Sequence, residues 1–433
     1  MSADALAAAG GLGLGAVLAS AVTSLSARML HAPGGEMVAV GRLTGLAGAY
    51  LLLVMVVLVA RIAALERLVG HPRLGRWHRR LAPWPLLLLV VHATASIAGY
   101  ARMQRTGVWH EFSLALSRYQ GMIAAVLSLV VLVAISAASI RAARTRMRHE
   151  TWWSLHLAMY IALALSFSHQ IATGASFVHH PLARIGWTAL WLSTAGVVIA
   201  YRVLVPAWRS AYHRLTVVKV AREADDVWSV VVTGRHLQRL AVSGGQFFHW
   251  RFLTRGLWLH SHPFSLSALP WAPYMRVTIQ GVGEHSSLIA ELKPGTRVAI
   301  EGPYGTLTKH VRTERRVALI GAAVGATPLR ALLEDLPLGC EPIVLLRAST
   351  RDQLVLENEI RDLAQDRGGR LIELVGSRTQ IPLDPATLSS LIPDIPSRDV
   401  YVCGSRSFAE AVRASATALR VPAGQLHVEA FGD

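Results

Sequence analysis

Apolar positions follow two rhythms along this chain. Up to about residue 206 they form long runs, near 5–25, 38–62, 80–100, 120–140, 153–172 and 185–205. Each approaches the ~20 residues a helix needs to cross hydrocarbon, so the first half predicts a six-helix transmembrane bundle. Gly10, Gly11, Gly13 and Gly15 make the first run the poorest helix former. From Tyr212 the runs shorten and alternate. Segments 215–221, 227–233, 275–280 and 296–301 read as strands of an antiparallel β-barrel, set apart by Gly, Pro and polar turns. Beyond Arg315 the pattern changes again. RVALIGAAVGATPLRALL reads as a buried strand, a small-residue turn and a helix, and 342–347, 370–375 and 398–402 as further strands. Strands alternating with helices predict an α/β nucleotide-binding domain. The expected domains are 1–205, 212–312 and 313–433.

Composition sharpens the first prediction. The 433 residues are 52% hydrophobic and 16% charged, which excludes a disordered chain and favours a membrane module joined to a soluble one. The net charge of +16 is explained by where the arginines lie. The 61–80 connection holds Arg61, Arg67, Arg73, Arg76, Arg79 and Arg80, and the 141–150 connection Arg141, Arg144, Arg146 and Arg148. The other connections hold Arg28; Arg102, Arg105 and Arg118; and Arg184. By the positive-inside rule the rich face is cytoplasmic, with both termini inside a plasma-membrane protein. Arg202, Arg209, Arg214 and Lys219 after the last run agree. Topology accounts for the charge, so no nucleic-acid partner is expected. Cys340 and Cys403 form neither a disulfide framework nor a zinc spacing. No basic region precedes the first apolar run, so a cleaved signal peptide is not expected. Oligomeric state leaves no mark in the sequence.

The histidines carry the chemistry. His78 and His92 stand 14 residues apart at the ends of the third run, and His156 and His169 stand 13 apart at the ends of the fifth. At 1.5 Å per residue each pair spans about 20 Å of helix. With both runs crossing in the same direction, His78 faces His156 near the cytoplasmic side and His92 faces His169 near the outer side. A single intramembrane histidine is explained by an interhelical hydrogen bond. Four in two depth-matched pairs predict axial ligands for two stacked haems. Thirteen residues advance an ideal helix by about 220° beyond whole turns, so the fifth helix bends or the haems are offset. Arg42, near the outer end of the second run, suits a haem propionate or snorkels to headgroups. Arg79 and Arg80 suit the inner haem or ordinary anchoring. His179 and His180 form either an exposed loop or a metal site.

In the barrel, His262-Pro263-Phe264-Ser265-Leu266-Ser267 offers an aromatic face and hydroxyls to a flavin, or simply alternates core and surface. Gly283, Ser286 and Ser287 open a helix whose free amides suit a pyrophosphate. Gly302-Pro303-Tyr304-Gly305 closes the barrel and reads as a turn on its own. In the last domain Gly321, Ala322, Gly325, Thr327 and Pro328 lie between a strand and a helix, as a dinucleotide loop requires. Ser349 and Arg351 follow the next strand, where a 2′-phosphate would lie, or form a solvated loop. Cys403-Gly404 sits beside a nicotinamide or is a buried structural pair.

These residues resemble the ferric reductase and NADPH oxidase family. Runs two to six resemble its ferric reductase transmembrane domain, and the rest a ferredoxin–NADP reductase module. The resemblance rests on the histidine spacings, HPFSLS, GPYG, GAAVGATP, VYVCGS and the closing HVEAF. It implies that His78, His92, His156 and His169 ligate two b-type haems, that HPFSLS holds FAD with Ser265 near flavin N5, and that Glu429 and Phe431 belong to a C-terminal segment covering the flavin. The family usually has glycine at the position of Ala323, so the extra methyl bears on nicotinamide affinity. Superoxide-producing members keep a second histidine where this chain has Ser96, whereas Arg42 matches an arginine they keep. The implied activity is electron transfer from cytoplasmic NADPH or NADH, through FAD and two haems, to oxygen or a ferric chelate outside. The alternatives are a haem subunit exchanging electrons with a partner protein or quinone, and a non-haem transporter.

Overall fold

The computed structural model describes residues 3–140, 147, 149–178, 180–258, 260–281, 288–377 and 380–431. The chain divides into two compact units, Met1–Arg202 and Val203–Asp433.

In the first unit the apolar runs become helices whose lipid-facing side chains stay exposed, Leu12, Trp84, Ile161 and Leu182 among them. Among the described residues five helices are long and apolar enough to cross a membrane: Ala3–Thr23, Gly35–Leu58, Arg73–Gln104, Thr151–Thr173 and Pro181–His213. The run expected at 120–140 differs. It forms the 17-residue helix Met122–Ala138, bent by 115° from the preceding Val108–Arg118, and the two make a sixth span only if taken together. Gly121 supplies the turn between them with φ of +81°, a conformation that costs glycine little.

The third span begins earlier than the hydropathy suggested. Residues His71–Leu81 form a helix of their own, and Pro83–Gln104 follows after Ala82. Pro83 and Pro85 lack the amide protons that would continue the first helix into the second. The first helix buries Leu74 and packs Trp77 and Leu81 against Leu58 and Val69, while Arg73, Arg76, Arg79 and Arg80 are exposed. Gly35–Leu58 packs on Pro83–Gln104 through small residues. A Cβ on Gly41 would lie 2.3 Å from Ser96 Oγ, and one on Gly99 2.8 Å from Val38 N. Such contacts drive helix association in lipid, where apolar burial gains little.

The second unit holds two sheets. The first runs β4 (His262–Ser265), β3 (Phe247–Phe252), β6 (Arg297–Tyr304), β1 (Leu215–Ala224), β2 (Val227–Thr233) and β5 (Tyr274–Gln280), with antiparallel pairings. A bridge between Leu266 and Val277 brings the chain after β4 to β5. Phe248, Trp250, Phe252, Met275 and Ile300 fill its core. The second sheet is parallel, ordered β11 (Leu426–Phe431), β10 (Asp399–Ser405), β7 (Val317–Ala322), β8 (Ile343–Ala348) and β9 (Arg370–Val375). Helices Ala326–Asp335 and Glu357–Asp366 cover one face, and Pro385–Leu391 and Arg406–Ala418 the other. This is the doubly wound arrangement that places ligands at the carboxyl ends of the strands.

Polar contacts tie the two sheets' surroundings together. Arg276 of β5 donates from both terminal nitrogens to the Glu359 carboxylate at 2.7 Å, and Arg330 Nε adds a third contact at 2.8 Å. Gly244 N donates to Asp335 at 3.0 Å, as does Lys309 at 2.8 Å, and Leu269 N donates to Glu334 at 2.7 Å.

Candidate functional site

The four histidines lie in two facing pairs. The ring centres of His78 and His156 are 6.3 Å apart, and those of His92 and His169 are 6.4 Å apart. A metal held axially by two imidazoles at roughly 2.0–2.1 Å per bond puts the ring centres about 6.3 Å apart. The donor set and its spacing therefore fit a haem iron at each level. The helix carrying His156 and His169 runs unbroken over His149–Thr173. The two pairs differ in orientation, with interplanar angles of 71° and 35°.

Hydrogen bonds set the tautomers. His92 Nδ1 lies 2.7 Å from the Gly41 carbonyl, and His78 Nδ1 lies 3.2 Å from the Met55 carbonyl. A carbonyl only accepts, so each Nδ1 carries the proton and each Nε2 lone pair is left for a metal. His156 stacks on Trp152 at 5.1 Å and places Nδ1 3.5 Å from Ser139 Oγ. That hydroxyl donates to Ile135 O and accepts from Trp152 Nε1. His169 Nδ1 is buried and, among the described residues, makes no hydrogen bond of good geometry; the Ser166 backbone one turn back is its nearest support. Arg42 is adjacent to Gly41, hence near the level of His92 and His169, and its Nε is buried with no hydrogen-bond partner among the described residues, as an anion-binding guanidinium's would be. Gly41 approaches Ser96 so closely that a larger side chain at Ser96 would need the helices to part.

In the second unit His262, Pro263, Phe264 and Ser265 form β4, with the His262 and Phe264 rings stacked 5.7 Å apart. Trp250 Nε1 fixes the strand by donating to Phe264 O at 3.0 Å. Ser265 is buried, and Ser267 Oγ accepts from Arg276 Nε at 3.1 Å. Gly302 has φ of +142° where the chain passes Phe248, and the Tyr304 hydroxyl donates to Glu301 at 3.0 Å. Gly283, Ser286 and Ser287 lie outside the described residues, as does His179.

The other sequence candidates converge at the carboxyl edge of the parallel sheet. Gly321 and Ala322 end β7, and Gly325 sits so close to β10 that a Cβ would lie 2.3 Å from Cys403 O. Pro328 and Thr327 open the following helix. The Thr327 hydroxyl, at the start of that helix, is buried without a hydrogen-bond partner among the described residues, a donor suited to a phosphate. Ala323 has φ of +49°, the left-handed region in which glycine is at ease. Cys403, Gly404 and Ser405 pair in register with Glu429, Ala430 and Phe431. Burial, reinforced by the nearby Glu429 carboxyl, pushes the Cys403 thiol well up, and burial raises Glu429 to about 7. Ser349 and Arg351 follow β8. The Arg351 guanidinium is exposed and lies 3.5 Å from Glu357 and 3.3 Å from Glu373, so it already faces carboxylates.

Sequence reasoning missed the carbonyls of Gly41 and Met55, which carry no side-chain signal. It also missed Gly45, although the repeat of glycines at 41, 45 and 48 was there to read. Arg276 and Glu359 lie 83 residues apart, and nothing local links them.

Comparison with known proteins agrees with this division of labour. Residues 44–167 match the family model of the ferric reductase like transmembrane component. The ferredoxin reductase component of 3-ketosteroid-9-alpha-monooxygenase from Mycobacterium tuberculosis is 27% identical over 201 residues, 45% of this chain and 56% of that one. Respiratory burst oxidase homolog protein D of Arabidopsis thaliana is 26% identical over 211 residues, 43% of this chain and 22% of that one. A flavohem-like FAD/NAD binding domain of nitric oxide dioxygenase from Vibrio cholerae O1 biovar El Tor is 26% identical, covering 51% of this chain and 99% of that one with a TM-score of 0.44. The chain spans 56% to 62% of the length of the first curated relatives it matches. These similarities support a ferric reductase/NADPH oxidase-like fusion, a transmembrane component of that type joined to a ferredoxin reductase-like module.

Proposed function

We propose that the chain is a transmembrane oxidoreductase that oxidises NAD(P)H on the cytoplasmic face of the plasma membrane and reduces oxygen or a ferric chelate on the other. Two b-type haems and FAD are its resident groups. When bound, FAD links hydride chemistry to single-electron chemistry, and the haems carry single electrons through the hydrocarbon. The observation that carries the reading is the pair of imidazole separations, 6.3 and 6.4 Å.

The protein supplies position. His78 and His156 would hold the inner haem, His92 and His169 the outer one, with Arg42 beside its propionates or the acceptor. The antiparallel sheet, read as a barrel over 212–312, would hold FAD through His262, Pro263, Phe264, Ser265, Ser267, Gly283, Ser286, Ser287 and Gly302. The Ser265 hydroxyl would hydrogen-bond the flavin, and Phe431 would cover its ring. The 313–433 domain would bind NAD(P)H: Gly321, Ala322, Gly325, Thr327 and Pro328 at the pyrophosphate, Ser349 and Arg351 at the adenosine end, and Cys403, Gly404 and Glu429 at the nicotinamide. A neutral Cys403 thiol leaves a weakly polar surface against that ring. The arginine-rich connections put both termini in the cytoplasm.

An anaerobic absorption spectrum of haem-replete protein, before and after NADPH, tests the reading. The expected result is bleaching of oxidised flavin together with reduced bis-imidazole haem bands. Protein without haem absorbance overturns it. Haem reduced by dithionite but never by NADPH replaces it with a subunit that depends on a partner. In air, rapid reduction of ferric chelates with negligible oxygen consumption assigns iron as the acceptor.

A further inference from the structure

We propose that the Gly35–Leu58 helix orients both haem ligands of the neighbouring span through its own carbonyl groups, and that Gly45 is the residue that lets the outer ligand take its position. The inference rests on the two-haem reading and adds an element to it.

The two histidines of the span are 14 residues apart, and so are the two carbonyls that receive their Nδ1 protons, Met55 for His78 and Gly41 for His92. One antiparallel register between Gly35–Leu58 and the Arg73–Gln104 span therefore serves both levels. The carbonyls are available for different reasons. Met55 lies in the last turn of its helix, where the carbonyls have no amide four residues on; the capping amide of Val59 turns to Val56 and Val57 instead. Gly41 is in the helix interior, where its carbonyl also accepts from the Thr44 hydroxyl at 3.1 Å, and the close approach of the neighbouring span lets His92 reach it at 2.7 Å.

The glycines provide that closeness. A Cβ on Gly45 would stand 2.5 Å from His92 Nδ1 and 2.9 Å from its Cε1 and Cγ, inside the imidazole itself. Any side chain at residue 45 therefore moves the ring. Gly48, one turn further along the same helix, is a natural control. Its Cβ would meet the Leu89 side chain at 3.0 Å and the Pro85 carbonyl at 3.2 Å, with no histidine among its three nearest atoms. A ligand whose Nδ1 donates to a carbonyl is oriented and made more basic, so losing the bond alters both occupancy and potential at that level.

The test compares Gly45→Ala with Gly48→Ala in the full chain in detergent or nanodiscs. Haem per chain, FAD per chain, redox titration and the low-spin electron paramagnetic resonance spectrum are measured. Wild type and Gly48→Ala should carry two haems with two unchanged signatures. Gly45→Ala should keep its FAD and one haem signature while the other is lost or shifted. Two haems with unmoved potentials and spectra in Gly45→Ala overturn the proposal, as does an identical defect in Gly48→Ala. Wild type lacking haem overturns the function reading as well, which separates the two failures. If Gly45→Ala does not accumulate, wild type labelled with 13C-carbonyl glycine or methionine carries the test. Redox-difference infrared spectra should then show a label-sensitive amide band, and its absence in both samples overturns the assignment.

Discussion

The two units place their chemistry by opposite means. In the first, four candidate ligands on two spans form the facing pairs, and backbone carbonyls and missing side chains set their places. In the second, most candidate groups are backbone amides, glycines and small hydroxyls at strand ends, and long-range ion pairs hold the framework. The difference follows from the solvent. Inside a bilayer an unpaired polar group is costly, so the few that are present mark function. In a water-exposed unit polar groups are abundant, and only convergence in space distinguishes the useful ones.

The largest effect should come from the ligands. His92→Ala should remove the outer haem and abolish electron flow to an external acceptor while FAD and NAD(P)H oxidation by soluble dyes persist. Haem per chain should fall from two to about one, counted from the reduced pyridine complex. His169→Ala should do the same, since both rings serve one level. Loss of that haem in only one of the two variants would break the pairing.

The same contrast explains what could be read in advance. Histidine spacing and arginine distribution are properties of single helices and their ends, and they are visible one residue at a time. Eight of the eleven strands were also legible, from alternation or from unbroken apolar runs. β3 was missed although Phe248, Trp250 and Phe252 alternate with His249 and Arg251, because the run is only six residues long and opens on two phenylalanines. β4 was recognised as a chemical motif rather than a strand, and β11 as a closing signature. The earlier start of the third span escaped notice because arginines mask the apolar face of His71–Leu81. Gly41, Gly45 and Met55 escaped because a carbonyl is present at every position, and only the packing of a second helix selects one of them.

In the second unit the largest effect should come from Glu359, which joins β5 to two helices of the nucleotide lobe. Burial opposes its charge, but Arg276 and Arg330 outweigh it and hold the carboxyl below its usual range. Its contribution is thus present at pH values above the unfolded carboxylate range and lost as pH falls through the lowered folded value. Glu359→Gln should cost about 1–2 kcal/mol at neutral pH, discounted because the side chain is partly exposed. Thermal denaturation should show the gap closing as the solution is acidified. A gap independent of pH would mean the carboxylate is not the source.

A smaller change, in the opposite direction, is expected at Ala323. A left-handed alanine costs roughly 1–2 kcal/mol, and glycine's greater freedom in the unfolded chain returns part of that. Ala323→Gly should therefore raise stability slightly and tighten NAD(P)H binding a few-fold. Both are measurable by nucleotide titration and thermal denaturation of the flavin-loaded protein. Weaker binding would mean that the methyl group packs usefully against the nucleotide.

The smallest effect concerns Glu429, whose neighbour across the sheet is Cys403. With its folded pKa raised to about 7, the carboxyl stays protonated in the folded chain over a range where the unfolded chain has released its proton. The folded state then binds more protons, so this residue lowers stability as pH rises from the ordinary carboxylate value to about 7, and no further above it. Glu429→Gln removes the titration and should flatten that part of the profile, leaving the variant slightly more stable than wild type at pH 8 and nearly equal at pH 5. Melting temperatures across that range decide it. A profile unchanged by the substitution would place the charge in water and detach Glu429 from the nicotinamide end of the site.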